Sequence, residues 1–408
     1  MAKTELLPEL QRSAREPGPV ELVIGVTGSP EMDVLRAKAP ACLQGIGAKT
    51  IVAYAGDNRM NGYGSSEDNI HFASYAMPHA AGSSAFWIEI GAAQRAVLAL
   101  AGAWQARACL VIHSDLAALD PDTIRLLTEP VLSGSSDLMM PVYQTGKYDA
   151  LINKSLLSPF SRALYGRRVK FPLAFDFCAG ASALAKLNQS DLKSANNGEP
   201  QLLWPVNAVA TSGGQIGQAA VGTRHGAQTD SMDLSAVLTE LAAALFKEAE
   251  ACAPFWQRVR GSQPALRYGT SMVPTEDAQP IDCRPMVESF VLGSRNLEEV
   301  WRLVLPPATM LELKRLARLD VESFRMPDAL WARIVYDFAL AFRMRRLSRS
   351  HLLGALTPLY LGWVASYAQE VGGATTQEAN HKVEELARTY EEQKPYLVSR
   401  WRWPLRVS

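Results

Sequence analysis

An acid that directly follows an apolar run is the first feature of the sequence that suggests chemistry. The run CLVI leads into His113, Ser114 and Asp115. A carboxylate at the carboxyl end of a strand can ligate Mg²⁺ or Mn²⁺, and the cation would neutralise a diphosphate leaving group. An aspartate at a strand end can equally cap the next turn, and the residues alone leave both interpretations open. His113 is expected to pack or to form a hydrogen bond rather than to bind a metal.

Two further titratable residues lie beside or within apolar runs. His225 follows the run QAAVG, and a neutral imidazole there would complete a metal site with Asp115, while Arg224 would bind phosphate. As an isolated histidine, His225 also fits a surface loop. Asp176 lies inside the run FPLAFDFCAG, and burial disfavours a charged carboxylate unless it is paired. Asp176 is therefore either a functional acid or a structural acid with hydrogen-bond partners.

A polar segment further along the chain suggests a site for an anionic molecule. Asn153 and Lys154 are adjacent, and three arginines follow at positions 162, 167 and 168. Guanidinium and ammonium groups bind carboxylates and phosphates, so this segment would hold an anionic acceptor. The alternative is a solvated helix face that carries Lys and Arg.

The elements that would position these residues alternate between apolar strand-type runs and amphipathic helices over residues 20–230. Such alternation predicts parallel strands in a nucleotide-type α/β sheet. Ligands of these sheets bind at the carboxyl ends of the strands, where Gly28, Asp57 and Asp115 would lie. The predicted strands are VELVIGVTG, KTIVAYAGD, RACLVIHSD, SDLMMPVYQ and FCAGASALA. The predicted helices between them are EMDVLRAKAPACLQGIG and SAFWIEIGAAQRAVLALAGAWQ.

The helical pattern becomes continuous towards the end of the chain. We predict an N-terminal extension at 1–19, a sheet domain at 20–262, a linker at 263–284 and an all-helical C-terminal domain at 285–408. The apolar segment LLGALTPLYLGWVASYA is interrupted by Thr, Pro and Gly. It predicts a pair of buried helices rather than a membrane span, which needs about 18 uninterrupted apolar residues.

Composition and charge narrow the class of protein. The 408 residues include 41 Lys and Arg and 41 Asp and Glu, so the formal net charge is zero, which argues against a nucleic-acid-binding surface. Five dispersed cysteines without a C-x-x-C pair indicate reduced thiols. The first residues contain no apolar signal segment. We therefore expect a cytoplasmic protein with no membrane span and no nucleic-acid partner.

A series of short motifs follows a fixed order along nearly the whole chain. In the first part they are VIHSDL, PVY at 141–143, KYD at 147–149, RALYG at 162–166, FPL at 171–173 and VGTRH at 221–225. In the helical part they are WARIVYD at 331–337, LTPLYL at 356–361 and KPYL at 394–397. In this order they resemble the GT-A-fold glycosyltransferases related to glucosyl-3-phosphoglycerate synthase and mannosylglycerate synthase. The resemblance implies a GT-A sheet domain, of the Rossmann-like α/β class, followed by an all-helical region.

The resemblance also implies a reaction and a set of site residues. A UDP- or GDP-hexose would donate its sugar to a small anionic acceptor such as glycerate or 3-phosphoglycerate, with retention at the anomeric carbon. Asp115 and His225 would bind Mg²⁺ or Mn²⁺, and Asp176 would be the catalytic residue of the sugar pocket. Asn153 and Lys154 would bind the acceptor, and a homodimer is expected because related enzymes are commonly dimers. The implied nucleotide-sugar-binding residues are Thr27, Gly28, Asp57, Gly82, Ser83 and Ser114.

Several residues depart from the pattern of these enzymes. His113 replaces the first acid of a D-x-D motif, Gly82-Ser-Ser84 replaces Gly-Lys-Gly, and Asn207 replaces an aspartate. The loop GVTGSPE also lacks a Pro and an Asn at the positions where these enzymes usually carry them. These departures leave open a changed donor, or a catalytically silent paralogue that binds a nucleotide sugar or a partner subunit. A nucleotidyltransferase would need Lys or Arg in the loop after the first strand, and GVTGSPEM contains neither.

Overall fold

A computed structural model of the chain separates into two units that differ in secondary structure. It describes residues 20–28, 32–44, 46, 49–56, 70–75, 85–113, 120–173, 175–194, 202–222, 233–270 and 281–403. The first unit comprises Met1–Tyr143, Phe171–Ala227 and Pro264–Met272. The second comprises Gln144–Lys170, Gln228–Gln263 and Val273–Ser408.

The division by packing differs from the segments predicted from the sequence. Two stretches that the sequence placed with the sheet, 144–170 and 233–262, pack with the C-terminal helices. Part of the predicted linker forms short strands, and the predicted extension at 1–19 lies outside the described residues. The boundaries at 262 and 285 stay a prediction about domains that fold independently.

The strands of the described residues form two sheets. They are β1 (Leu22–Val26), β2 (Thr50–Ala55), β3 (Ile70–Tyr75), β4 (Ala108–Ile112), β5 (Leu138–Val142), β6 (Arg167–Arg168), β7 (Phe177–Gly180), β8 (Ile216–Ala220), β9 (Gln263–Pro264) and β10 (Leu266–Tyr268). Eight of them form a mixed sheet in the order β10-β8-β5-β7-β4-β1-β2-β3, and β6 pairs with β9. The α/β class predicted for the first part of the chain is confirmed.

The central strands are apolar throughout because both faces of the sheet are covered. Every residue of β1, LVIGV, and of β4, ACLVI, is buried. Parallel sheets with helices on both faces carry such continuous apolar strands, whereas a sheet with one wet face alternates. The strands predicted from the runs VELVIGVTG and RACLVIHSD are therefore confirmed.

One strand runs against the direction that the alternating pattern predicted. β7 is antiparallel to both of its neighbours, β4 and β5. Between β5 and β7 the chain passes through 144–170, which belongs to the second unit. It returns at the carboxyl edge from which it left, because Asp176, just before β7, contacts Tyr143, just after β5. A strand that enters from that edge must run antiparallel.

Helices cover the sheet at close range. In the first unit they are α1 (Met32–Cys42), α2 (Ala85–Ala103), α3 (Pro121–Leu132), α5 (Ala181–Ser194) and α6 (Pro205–Thr211), while α4 (Ser158–Tyr165) belongs to the second unit. α3 was not predicted, but its start is well encoded: Asp120 accepts a hydrogen bond from the Thr123 N–H at 2.9 Å, and proline occupies the first turn. On β1, a Cβ atom at Gly25 would lie 2.1 Å from Cγ1 of Val97 on α2, so helix and strand meet at a residue without a side chain.

The second unit consists mainly of helices, as predicted. Besides α4 they are α7 (Leu234–Ala251), α8 (Ala253–Trp256), α9 (Arg284–Asn296), α10 (Glu298–Val304), α11 (Pro307–Leu316), α12 (Asp328–Met344), α13 (Arg349–Gly354), α14 (Thr357–Glu370) and α15 (Thr376–Arg402). The segment LLGALTPLYLGWVASYA forms the predicted helix pair, as most of α13 and α14. Among the described residues, no helix combines the length and the apolarity needed to cross a membrane.

A short π-helix ties residues 144–170 to these helices. It spans Asn153–Leu157, and the Ser158 N–H donates to the carbonyl of Asn153 in the wider i to i+5 pattern. The carbonyl of Ser155 accepts hydrogen bonds from Trp331 Nε1 on α12 and from the Tyr390 hydroxyl on α15, both at 3.0 Å. Both aromatic side chains are fully buried, so these bonds satisfy their polar atoms inside the core.

The contact at Gly25 gives a direct test of the strand–helix packing. We expect Gly25→Ala to lower the free energy of unfolding by about 1–3 kcal/mol, because the new methyl group would overlap Val97 in a close-packed interior. Gly373→Ala is the control, since a Cβ there meets no atom within 4 Å. Urea unfolding followed by circular dichroism measures both, and equal stability of the two variants would contradict this packing.

Candidate functional site

The carboxyl ends of β1 and β4 meet at a topological switch point. From β1 the chain adds β2 and then β3 on one side, and it then crosses to β4 on the other side of β1, always in parallel. Connections that diverge from neighbouring strands leave a crevice at their carboxyl ends, and open α/β sheets bind ligands there. The residues that follow β1 and β4 therefore form the walls of the candidate site.

Thr27 and Gly28 follow β1 directly at this edge. The Thr27 N–H donates to the carbonyl of Ile112 at 2.8 Å, which extends the pairing with β4. The Thr27 hydroxyl donates to the same carbonyl at 3.2 Å. At Gly28 a Cβ atom would lie 2.7 Å from the carbonyl oxygen of His113, so only glycine fits this close to the neighbouring chain. Both predicted nucleotide-binding residues thus lie at the crevice.

Asp176 joins the ends of three strands with one carboxylate. Its Oδ1 accepts a hydrogen bond from the His113 N–H at 2.8 Å, and its Oδ2 accepts one from the Tyr143 hydroxyl at 2.6 Å. His113 follows β4, Tyr143 follows β5, and Asp176 precedes β7, which lies between them. The side chain is only 4% exposed, and hydrogen bonds to a carboxylate are stronger than those between neutral groups. Asp176 is therefore a buried acid with hydrogen-bond partners at the edge of the candidate site.

His113 packs and forms hydrogen bonds, as predicted. Its Nδ1 lies 3.3 Å from the Thr27 hydroxyl oxygen, and its ring centroid lies 5.3 Å from that of Phe175. Gln94 Nε2, from α2, donates to the carbonyl of Phe175 at 3.2 Å. The short segment before β7 is thereby fixed to both α2 and the end of β4.

Most of the predicted metal and donor residues cannot be placed by this structure. Those outside the described residues are Asp57, Gly82, Ser83, Ser114, Asp115 and His225. Within the part of the chain that is described, no group of three or more His, Cys, Asp or Glu could hold a metal ion. The assignment of Asp115 and His225 to a cation therefore stays a prediction.

The two predicted acceptor residues lie in the second unit, at the start of the π-helix. Lys154 is 6% exposed, and its ammonium group donates to the carbonyl of Gly146 at 2.6 Å. Burial lowers the pKa of Lys154 to about 8; nearby Lys170 lowers it further, whereas Asp149 opposes the shift. Asn153 Nδ2 donates to the carbonyl of Lys170 at 2.8 Å, while its buried Oδ1 has no hydrogen-bond partner among the described residues. Asn153 thus keeps an acceptor atom, and Lys154 already binds the main chain.

The arginines that follow in the sequence bind groups of the protein itself. Arg162 forms ion pairs with Glu384 at 2.7 Å and Glu391 at 3.0 Å on α15. Arg167 hydrogen-bonds the Gln263 side chain at 2.9 Å, and Arg168 hydrogen-bonds that of Ser262 at 2.9 Å. The sequence suggested an anion-binding site or a solvated helix face. For Arg162 the structure shows a third arrangement, in which a buried guanidinium is paired with two carboxylates.

The structure adds two residues that the sequence analysis did not select. Tyr143 holds Asp176, and Gln94 holds the segment before β7. Tyr143 was visible only as part of the motif PVY, and its position directly after a predicted strand was the available signal. Gln94 lies in a helix that reads as apolar, where a single amide at 3% exposure gives no indication of the strand end that it contacts.

The contribution of the hydrogen bond from Tyr143 to Asp176 to the free energy of unfolding can be measured. We expect Tyr143→Phe to lower the free energy of unfolding by about 2 kcal/mol, because it removes a donor from a buried carboxylate. Tyr268→Phe is the matched control and should cost less than about 1 kcal/mol, since that hydroxyl only meets the Ser136 hydroxyl at 3.4 Å. Urea unfolding checks the difference, and equal losses in the two variants would show that Asp176 does not depend on Tyr143.

The buried ammonium group of Lys154 predicts a dependence of stability on pH. The pKa of Lys154 is about 8 in the folded chain, and its ordinary value is 10.5. At a pH between these two values the unfolded chain therefore binds more protons than the folded chain. The folded state therefore gains stability from this group as pH rises through that range, by roughly 2 kcal/mol at pH 10. Lys154→Met removes this gain, and the difference in unfolding free energy between wild type and variant, followed from pH 7 to 10, measures it. Lys186→Met, at an exposed position, is the matched control. A difference for Lys154→Met that does not change with pH would contradict the burial of its charge.

The comparisons with known proteins identify solved structures only. No protein-family model and no curated protein matches the chain. A crystal structure of glucosyl-3-phosphoglycerate synthase from Mycobacterium tuberculosis with Mn²⁺, UDP-glucose and phosphoglyceric acid is 17% identical, with a TM-score of 0.36, and the match covers 60% of this chain and 84% of that chain. Another structure of this enzyme is 17% identical with a TM-score of 0.35, covering 59% and 84%. A mycobacterial protein is 16% identical with a TM-score of 0.36, covering 60% and 78%. The chain is similar to these proteins, among them a glycosyltransferase of the kind that the motifs resemble.

Proposed function

We propose that the chain is a glycosyltransferase that moves a hexose from a nucleotide-diphosphate sugar to a small anionic hydroxy acid. The observation that carries this proposal is the crevice at the switch point between β1 and β4. Thr27 and Gly28 on one side and His113 on the other bring main chain to within contact distance there, and open α/β sheets bind ligands at such a crevice. The family resemblance of the motifs points to the same function.

The chemistry of the transfer assigns a part to Asp176. Departure of a nucleoside diphosphate leaves positive charge on the sugar, and fixed charges that face this charge lower the barrier. Both carboxylate oxygens of Asp176 already accept hydrogen bonds from the chain. We therefore assign Asp176 an electrostatic and positioning part rather than proton transfer. No enzyme nucleophile is needed if the acceptor attacks from the side of the leaving group, which would retain the anomeric configuration.

A divalent cation, Mg²⁺ or Mn²⁺, belongs to this proposal. When bound it would neutralise charge on the leaving diphosphate. Asp115 and His225 are its proposed ligands, on the strength of the motif resemblance alone. Thr27, Gly28, Asp57, Gly82, Ser83 and Ser114 are the proposed contacts of the nucleotide sugar.

The acceptor is proposed to bind near Asn153 and Lys154 in the second unit. The Oδ1 of Asn153, which no described residue contacts with a donor, is a suitable partner for a hydroxyl group of a small hydroxy acid. Lys154 would supply positive charge nearby, although its ammonium group must then share its hydrogen bonds with Gly146. Glycerate and 3-phosphoglycerate are the acceptors to test first, and UDP-glucose is the first donor, since structures similar to this chain contain UDP-glucose and phosphoglyceric acid.

We also propose a cytoplasmic homodimer. The structure describes all five cysteines and none of them forms a disulfide, which suits a reducing compartment. Four leucines in the region of α9 to α11 are between 41% and 59% exposed, and a second copy could cover them. They are Leu292, Leu303, Leu311 and Leu319.

The second candidate is a protein that binds a nucleotide sugar or a partner subunit without transferring a sugar. The observation in its favour is the imidazole of His113 at a position where the resembled enzymes carry an acid. Binding without turnover separates it from the first candidate.

Release of nucleoside diphosphate, measured with and without acceptor, tests the proposal. We expect acceptor-dependent release by the full chain with a UDP- or GDP-hexose and Mn²⁺ or Mg²⁺, and loss of this release with EDTA. Asp115→Asn should reduce the rate about a hundredfold or more, because charge on the leaving group is then poorly neutralised. Asp122→Asn is the control, since this exposed side chain lies in the first turn of α3 and pairs with Arg125. Nucleotide binding without release for any combination of donor and acceptor would favour the second candidate.

A further inference from the structure

Arginine is concentrated in three segments of the second unit, although the chain as a whole has no formal net charge. Residues 252–260, 343–351 and 399–403 contain eight arginines and no Asp, Glu or Lys. The segments include the carboxyl-terminal ends of α8, α12 and α15. Such a segregation of one sign of charge creates a local positive potential. Six of the eight side chains are exposed: Arg258, Arg260, Arg345, Arg346, Arg349 and Arg402.

Contacts between the three segments bring them together at one end of the unit. Arg343 Nη1 donates to the carbonyl of Trp401 at 2.8 Å, which joins the end of α12 to the end of α15. Arg402 Nε donates to the Gln257 side chain at 2.9 Å, and the rings of Trp256 and Trp401 meet edge to face with centroids 5.1 Å apart. The six exposed arginines therefore belong to one surface, here called the arginine surface.

The protein itself neutralises only part of this charge. Carboxyl-terminal ends of helices attract cations, and Arg343 lies in the last turn of α12. Arg345 pairs with Glu250 at 3.9 Å, but its side chain is still 72% exposed. Arg258 and Arg260 form no ion pair with any residue that the structure describes. Positive charge thus faces solvent here without a carboxylate to balance it.

An exposed tryptophan lies at the same end of the unit. Trp403 follows α15 directly and is 80% exposed, whereas the neighbouring Trp256 and Trp401 are buried. In the part of the chain that the structure describes, no other large hydrophobic residue is as exposed as Trp403. An indole has an apolar ring and a polar N–H, and it favours the boundary between lipid headgroups and acyl chains. Arginine beside an exposed indole is typical of surfaces that lie on a membrane.

We propose that the arginine surface, together with Trp403, binds the anionic phospholipids of a membrane from the aqueous side. The guanidinium groups would pair with lipid phosphates and carboxylates, and the indole would enter the headgroup layer. Clusters of about four to eight Lys or Arg are attracted to anionic leaflets in this way. Single-stranded nucleic acid instead stacks successive bases on several aromatic side chains, and the described part of this surface exposes one. The inference does not depend on sugar transfer.

Sedimentation of the full chain with lipid vesicles tests the inference. We expect binding to phosphatidylcholine mixed with phosphatidylserine but not to phosphatidylcholine alone, and release as salt screens the attraction. Arg258→Gln combined with Arg345→Gln should weaken binding about tenfold or more, because two charges of the surface are lost. Arg315→Gln combined with Arg318→Gln is the matched control and should bind as the wild type does. It removes the same charge from exposed positions in and just after α11.

Tryptophan fluorescence of the wild type gives a second measurement. Emission should move to shorter wavelength when anionic vesicles are added, and Trp403→Ala should remove this shift. Absence of binding to anionic vesicles at low salt would overturn the inference, as would equal weakening by the two pairs of substitutions in folded protein. Binding of a single-stranded RNA oligonucleotide in preference to the vesicles would also overturn it, because the surface would then belong to nucleic acid.

Discussion

The carboxylate of Asp176 is the interaction on which the candidate site depends. It accepts hydrogen bonds from the residue after β4 and from the residue after β5, and it lies at the start of β7 between them. β7 runs antiparallel to both neighbours, so its first residues lie at the edge where the parallel strands end. A parallel strand in this place would begin at the opposite edge and leave the ends of β4 and β5 without a shared partner. The reversed strand is therefore what brings an acid to the crevice.

Buried charged side chains have different hydrogen-bond partners in the two units. In the first, the anionic Asp176 is matched by N–H and O–H donors at strand ends. In the second, ammonium groups bind main-chain carbonyls: Lys147 donates to Gly372 and Ala374 at 3.0 and 3.1 Å, and Lys394 donates to Val259 at 3.0 Å. Burial lowers the pKa of Lys394 to about 8, with Arg260 adding to the shift and Glu391 opposing it. Both lysines thereby fix loop carbonyls, and for Lys394 the cost in desolvation falls as pH rises towards 10.5.

Strands buried on both faces were predictable because a continuous apolar run leaves few alternatives, as β1 and β4 show. β3, IHFASY, was missed because His71 and Ser74 interrupt its apolar pattern. The direction of β7 could not be predicted, since it follows from the chain leaving and re-entering the sheet at one edge. For Asp176, the sequence left open a functional or a structural acid, and only the fold shows its partners Tyr143 and His113. The three contacts of His113 involve residues from 27 to 176, a separation that no local pattern encodes.

The most direct measurement is a crystal structure of the chain with UDP and a divalent cation. The account predicts that the diphosphate lies at the carboxyl ends of β1 and β4, against the main chain of Thr27 and Gly28, with Asp176 at the edge of the occupied crevice. A nucleotide bound away from this edge, with Asp176 and His113 remote from the ligand, would contradict it.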